Sequence, residues 1–158
     1  MASELLTSWG EYRAAVDRIL ALATDELCIF DPDLGELKLE SGERLDELRR
    51  LLAAGKSGCL KIALRDATFF RTHCPRLNEL LRIHSHLLLV SETPDSIAHL
   101  RDCMILADSR HGLIRFDQGQ PRSKLVLDDP DGIAPYKRRF EEILLEGGTP
   151  ISATTLGL

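Results

Sequence analysis

Between residues 7 and 93 a stretch of helical periodicity is followed three times by a short apolar run, and after residue 100 that alternation stops. "TSWGEYRAAVDRILALA" (7–23) spaces Tyr12, Val16, Ile19 and Leu20 along one helix face, with Thr7 or Ser8 as its cap. "ELCIFDPDLG" (26–35) reads as a buried strand ended by Asp31, Pro32 and Gly35. "SGERLDELRRLLAAG" (41–55) puts Leu45, Leu48, Leu51 and Leu52 on one side of a helix stopped by Gly55, and "CLKIALRD" (59–66) is a second strand. Pro75 suits the first turn of a third helix carrying Leu77, Leu80, Leu81 and His84, and "LLLVSET" (87–93) is a third strand. This order requires parallel strands joined by right-handed crossovers, with helices covering the sheet.

The runs that follow, "DCMILAD", "HGLIRF" and "KLVLDD", are separated by a few turn residues, so antiparallel pairing is expected to extend the parallel sheet. Residues 102–107 are apolar on both faces apart from Asp102, which predicts a central strand with Met104 and Leu106 buried. A last helix, "IAPYKRRFEEILLEGG" (133–148), carries Tyr136, Phe140, Ile143 and Leu144 on one face. The tail from residue 149 to 158 has no helical period and is expected to be an extended edge or disordered. The expected fold class is therefore α/β, a mixed sheet of parallel βαβ units followed by antiparallel strands, with helices on both faces, in a single domain over residues 1–158.

A chain of 158 residues buries about two thirds of its unfolded surface, enough to fold without a metal or disulfide staple. Its 44% apolar and 28% charged residues exclude a disordered chain. With no secretory leader and no apolar stretch near the roughly 18 residues of a membrane helix, a cytoplasmic location is expected. Cys28, Cys59 and Cys103 sit in apolar runs and read as reduced core residues. The net charge of −5 is uneven: residues 1–55 carry 12 acids and 6 bases, whereas residues 56–124 carry 7 acids, 11 bases and all five histidines. An anion site would lie in that basic middle third, although lysines and arginines also simply decorate solvent faces.

Several stretches carry the order of elements closer to a known family. "LCIFDPDLG", "GCLKIALRDATFF" with "PRLNELLR", "CMILADSRHGLIRF", and "RFEEIL" before a C-terminus ending "LGL" resemble, over roughly residues 10–158, an uncharacterised bacterial domain of phospholipase D-like fold. That domain is found alone or fused to acetyltransferase domains of the GNAT type. The resemblance implies one half of a phospholipase D-like arrangement. Active members carry H-x-K-x-x-x-x-D on the first arm of the hairpin, where the His attacks phosphorus and the Lys neutralises charge on the phosphoryl oxygens. With Asp108 as the motif's Asp, the His position falls on Arg101 and the Lys position on Cys103. The Gly-Ser and Asn of active members fall on Arg115, Phe116 and Gln118. A guanidinium stays protonated and offers no lone pair, so Arg101 is no nucleophile.

The resemblance implies a non-catalytic domain that acts by binding a partner protein or an anionic, phosphate-bearing ligand. The expected anion site is Arg101, Asp108, Arg110 and Arg115, on the ground that a hairpin brings at least Arg110 and Arg115 together. Asp102, Asp108 and Asp117 are the acids that would otherwise compensate these arginines internally. Because such domains work as pairs in the enzyme family, a homodimer or an acetyltransferase-type partner is expected, and a membrane or nucleic-acid partner is not.

Other constellations are weaker. A hydrolase or transferase using His73, Cys74 or His111 is the alternative, since a helix start beside "THCPRL" would lower a thiol pKa. His84 and His86, with His73 or Cys74, would make a zinc set, but their spacing matches no standard module and no metal is expected. "DDPD" (128–131) reads as a helix cap rather than a cation site. "AAGKSGC" lacks the earlier glycine of a phosphate loop and follows a helix, and aromatic residues are only 5%, too few for a stacking nucleic-acid surface. No cofactor is expected.

Overall fold

The structure is a computed structural model that describes residues 2–152. Strands β1 (Ala2–Leu6), β2 (Leu27–Asp31), β3 (Leu60–Leu64), β4 (Leu88–Glu92), β5 (Cys103–Ala107), β6 (His111–Arg115), β7 (Ser123–Leu127) and β8 (Thr149–Pro150) form one sheet. Its order is β1, β7, β6, β5, β2, β3, β4, β8. β2, β3 and β4 are parallel, and every other pairing is antiparallel. The helices are α1 (Trp9–Leu22), α2 (Gly42–Ala53), α3 (Thr68–His73), α4 (Pro75–Ile83) and α5 (Pro130–Leu145).

Alternation along the strands sorts the core into two layers. Leu27, Ile29, Leu60, Ile62, Leu64, Ile105, Leu113 and Leu125 pack with Tyr12, Val16, Ile19, Leu45, Leu48 and Leu77 of α1, α2 and α4. Cys28, Phe30, Ala63, Met104, Leu106, Ile114 and Val126 pack with Ile133, Phe140 and Ile143 of α5 on the other face. Burial on both faces explains why these strands read as continuous apolar runs. β5 lies between β2 and β6, with Met104 and Leu106 buried as the sequence predicts.

The mixed α/β sheet with helices on both faces is observed; β1, the short α3 and the bounds of α5 differ from the sequence reading, and the start of the tail is the extended edge that it allowed. β1 is an edge strand on β7 that composition did not announce; "ASELL" takes its conformation from pairing with Ser123–Leu127 rather than from propensity. α5 starts and ends three residues before the predicted span, because the Asp129 side chain accepts the Gly132 N–H at 3.1 Å and Pro130 opens the first turn. The start of the tail is extended: Thr149 and Pro150 pair with Glu92 and Ser91, and Ile151 donates its N–H to Val90. The rest of that tail, residues 153–158, lies outside the described residues. No described helix is long and apolar enough to cross a membrane.

Candidate functional site

The antiparallel turn of the chain at β5 brings its start beside the C-terminal end of β2, so Cys103, Arg115 and Asp31 share the α1 face at one end of the sheet. Arg115 and Asp31 are each only 1% exposed. The Arg115 guanidinium lies 5.3 Å from the Trp9 ring centroid and 5.0 Å from that of Tyr12. Its Nη1 donates to the Gln118 carbonyl at 2.5 Å, and its Nη2 reaches Asp31 Oδ1 only at 3.4 Å. The Nε–H has no hydrogen-bond partner among the described residues. Asp31 uses its other oxygen on the Leu34 N–H at 2.8 Å and the Asp33 N–H at 3.3 Å, which holds the turn after β2 with Leu34 at φ 74°. Burial pushes the Asp31 carboxyl above its usual range in spite of the Leu34 N–H and Arg115 beside it.

Above this pair opens a cleft of about 400 Å³ lined by Asp31, Pro32, Asp33, Gly35, Glu36, Arg115 and Gln118. Arg13 pairs with Glu36 at 2.9 Å and lies 5.9 Å from the Trp9 ring centroid. At the rim Arg101 makes a two-pronged bond to Asp117, Nε to Oδ1 at 2.6 Å and Nη2 to Oδ2 at 3.2 Å. On the α5 face at this end Arg65 stacks on Phe30 and donates to the carbonyls of Leu100 and Asp102.

Arg101 and Cys103, which the sequence reading sets at the His and Lys positions of the motif, are here a salt-bridged guanidinium and a buried thiol pushed up to about 12 by that burial. Asp108, the motif's third position, sits at the opposite end of β5. Its carboxylate accepts the N–H groups of Thr24, Asp25 and Glu26 at 2.8–3.2 Å and the Thr24 hydroxyl at 3.0 Å. Burial opposes its charge, but these donors outweigh it and hold the carboxyl below its ordinary value.

The expected set of Arg101, Asp108, Arg110 and Arg115 is therefore not one cluster. Arg110 and Arg115 lie on the same arm of the hairpin, five residues and roughly 16 Å apart, because a strand rises about 3.3 Å per residue. Arg101 and Arg115 share one end; Asp108 and Arg110 share the other. Compensation also differs from expectation: Asp117 does pair with Arg101, but Asp128 neutralises Arg110, Asp102 pairs with Arg139, and Asp108 serves backbone.

Of the residues of the alternative site, His73 and Cys74 are chain neighbours where α3 meets α4, and His111 lies on β6. Cys74 is buried at the joint of α3 and α4, and burial, helped by Glu40, pushes its thiol up to about 11 rather than down. His73 is stacked on Phe69 beside Thr72. His111 accepts the Asp128 N–H on Nδ1 at 2.9 Å, at the far end of the sheet from the cleft. No group of three His, Cys, Asp or Glu side chains suited to a metal ion occurs among the described residues. The sequence reading missed Asp31, Trp9, Tyr12 and Arg65; the signal for a buried pair was a lone arginine inside the apolar run "GLIRF" and an aspartate closing "LCIF".

Residues 9–146 match the family described as a domain of unknown function, DUF7931. The sequence matches none of the curated proteins compared with it. Among solved structures, TrmBL2, an archaeal chromatin protein with a novel mode of DNA binding, superposes with a TM-score of 0.66 at 14% identity over 96% of this chain and 55% of that one. The phospholipase D family member Nuc from Salmonella typhimurium gives 0.65 at 9% identity over 96% of this chain and 98% of that one. NucT from Helicobacter pylori gives 0.62 at 10% identity over 95% and 99%. This chain thus spans about half of the chromatin protein but nearly all of the two Nuc proteins, and at such identities the likeness is one of fold. With its sheet order, its hairpin and the family match over most of its length, the chain belongs to the DUF7931 family and has a phospholipase D-like fold.

Proposed function

We propose that this domain is non-catalytic and acts by binding a ligand that carries an oxyanion, at the cleft over Arg115. The observation that carries the reading is what stands at the two positions that the resemblance aligns with the catalytic His and Lys: a guanidinium already held by Asp117 and a buried thiol, neither of which is a histidine nucleophile or a phosphoryl-neutralising amine. Across the hairpin from Cys103 stands Arg115, a guanidinium whose Nη2 makes one long bond to Asp31 and whose buried Nε–H makes none. A buried donor without a partner costs about 1–3 kcal/mol, and an oxyanion supplies two acceptors to that edge at once.

The test is turnover of bis-p-nitrophenyl phosphate by the purified protein. The reading predicts no rate above the buffer blank. Turnover that persists through repurification and vanishes in His111→Ala or His73→Ala would overturn it in favour of a rearranged hydrolase.

A further inference from the structure

The charges around the cleft are of mixed sign, and they restrict what an oxyanion-bearing ligand can be. Arg115 is the guanidinium of the lining, whereas Asp31, Asp33 and Glu36 are carboxylates. Arg13 neutralises Glu36 from outside, and Asp31 faces Arg115. Asp33 has no cationic partner among the described residues; its Oδ1 only accepts the Gly35 N–H at 2.8 Å. A simple anion drawn to Arg115 therefore meets the unpaired charge of Asp33, and a simple cation drawn to Asp33 meets Arg115.

We infer that the cleft binds a small soluble zwitterion, its oxyanion on the Nε/Nη2 edge of Arg115 and its ammonium on Asp33. This rests on the anion-binding reading above and narrows its ligand class. Asp31 can yield its 3.4 Å contact with Arg115 because its other oxygen stays anchored on the Leu34 and Asp33 N–H groups. A cleft of about 400 Å³ is within the range of small-molecule sites. The Gln118 carbonyl, already bound to Nη1, fixes the guanidinium plane and so holds the Nε/Nη2 edge in one orientation.

Calorimetric titration at constant ionic strength with two matched pairs tests this: β-alanine against propionate, and O-phosphoethanolamine against inorganic phosphate. At least one zwitterion should bind about tenfold or more tightly than its matched anion. Asp33→Asn, which keeps the Oδ1 that holds Gly35, should abolish that preference while leaving the matched anion bound as before or better. Equal affinities within both pairs, or a preference that survives in Asp33→Asn, would overturn the zwitterion while leaving the oxyanion reading intact. If none of the four compounds binds, both fail.

Discussion

Asp108, which the sequence reading sets at the motif's Asp, has a local structural role. At φ 56° in the β5–β6 turn, its carboxylate gathers three backbone N–H groups of the α1–β2 connection and so ties the hairpin to the start of β2. Asp108→Ala leaves those donors to solvent and is expected to cost about 2 kcal/mol, read from chemical denaturation. Because its folded pKa is depressed, the stability it gives is present above the unfolded carboxyl value and is lost as pH falls through the folded one. The stability difference between wild type and Asp108→Ala should therefore shrink below about pH 4; a difference that stays constant to pH 2 would contradict the ionised cap. Arg115 taught the opposite lesson. Its sequence position told that a charge entered an apolar strand, but its partner Asp31 is 84 residues away, and no periodicity reports a contact across two crossovers.

The elements were legible where burial imposes a period, and less so where tertiary pairing decides. Both faces of β5 are apolar in the sequence because both are covered, and Met104→Asp should unfold the domain or cost several kcal/mol, since it places an unpaired charge between the sheet and α5. Gly112 on β6 has a role that the sequence did not reveal. A Cβ there would lie 2.6 Å from Ile133 Cδ1 and 3.1 Å from Leu106 Cδ2, both buried, so the glycine lets α5 close on the sheet. Gly112→Val should lower stability by roughly 1–3 kcal/mol, the usual range for overpacking; a normal melting curve would show that α5 has slack. β1 and the short α3 escaped notice because five or six residues of ordinary composition carry no period of their own.

At the scale of the molecule, the order of helical and apolar runs was enough to give a mixed sheet, because each βαβ crossover and each short turn leaves few ways to arrange the strands. The candidate site was only half legible. Setting Arg101 and Cys103 at the His and Lys positions rested on the resemblance and the local hairpin, whereas the cleft needed the turn after β2 folded beside the end of β6. The central claim of the proposal is that no residue of this chain attacks a phosphodiester. Intact-mass measurement after incubation with bis-p-nitrophenyl phosphate, quenched in neutral denaturant to preserve phosphohistidine, tests it most directly. The account predicts an unmodified chain at every time point. A covalent phosphoryl adduct that maps to any of the five histidines would contradict it.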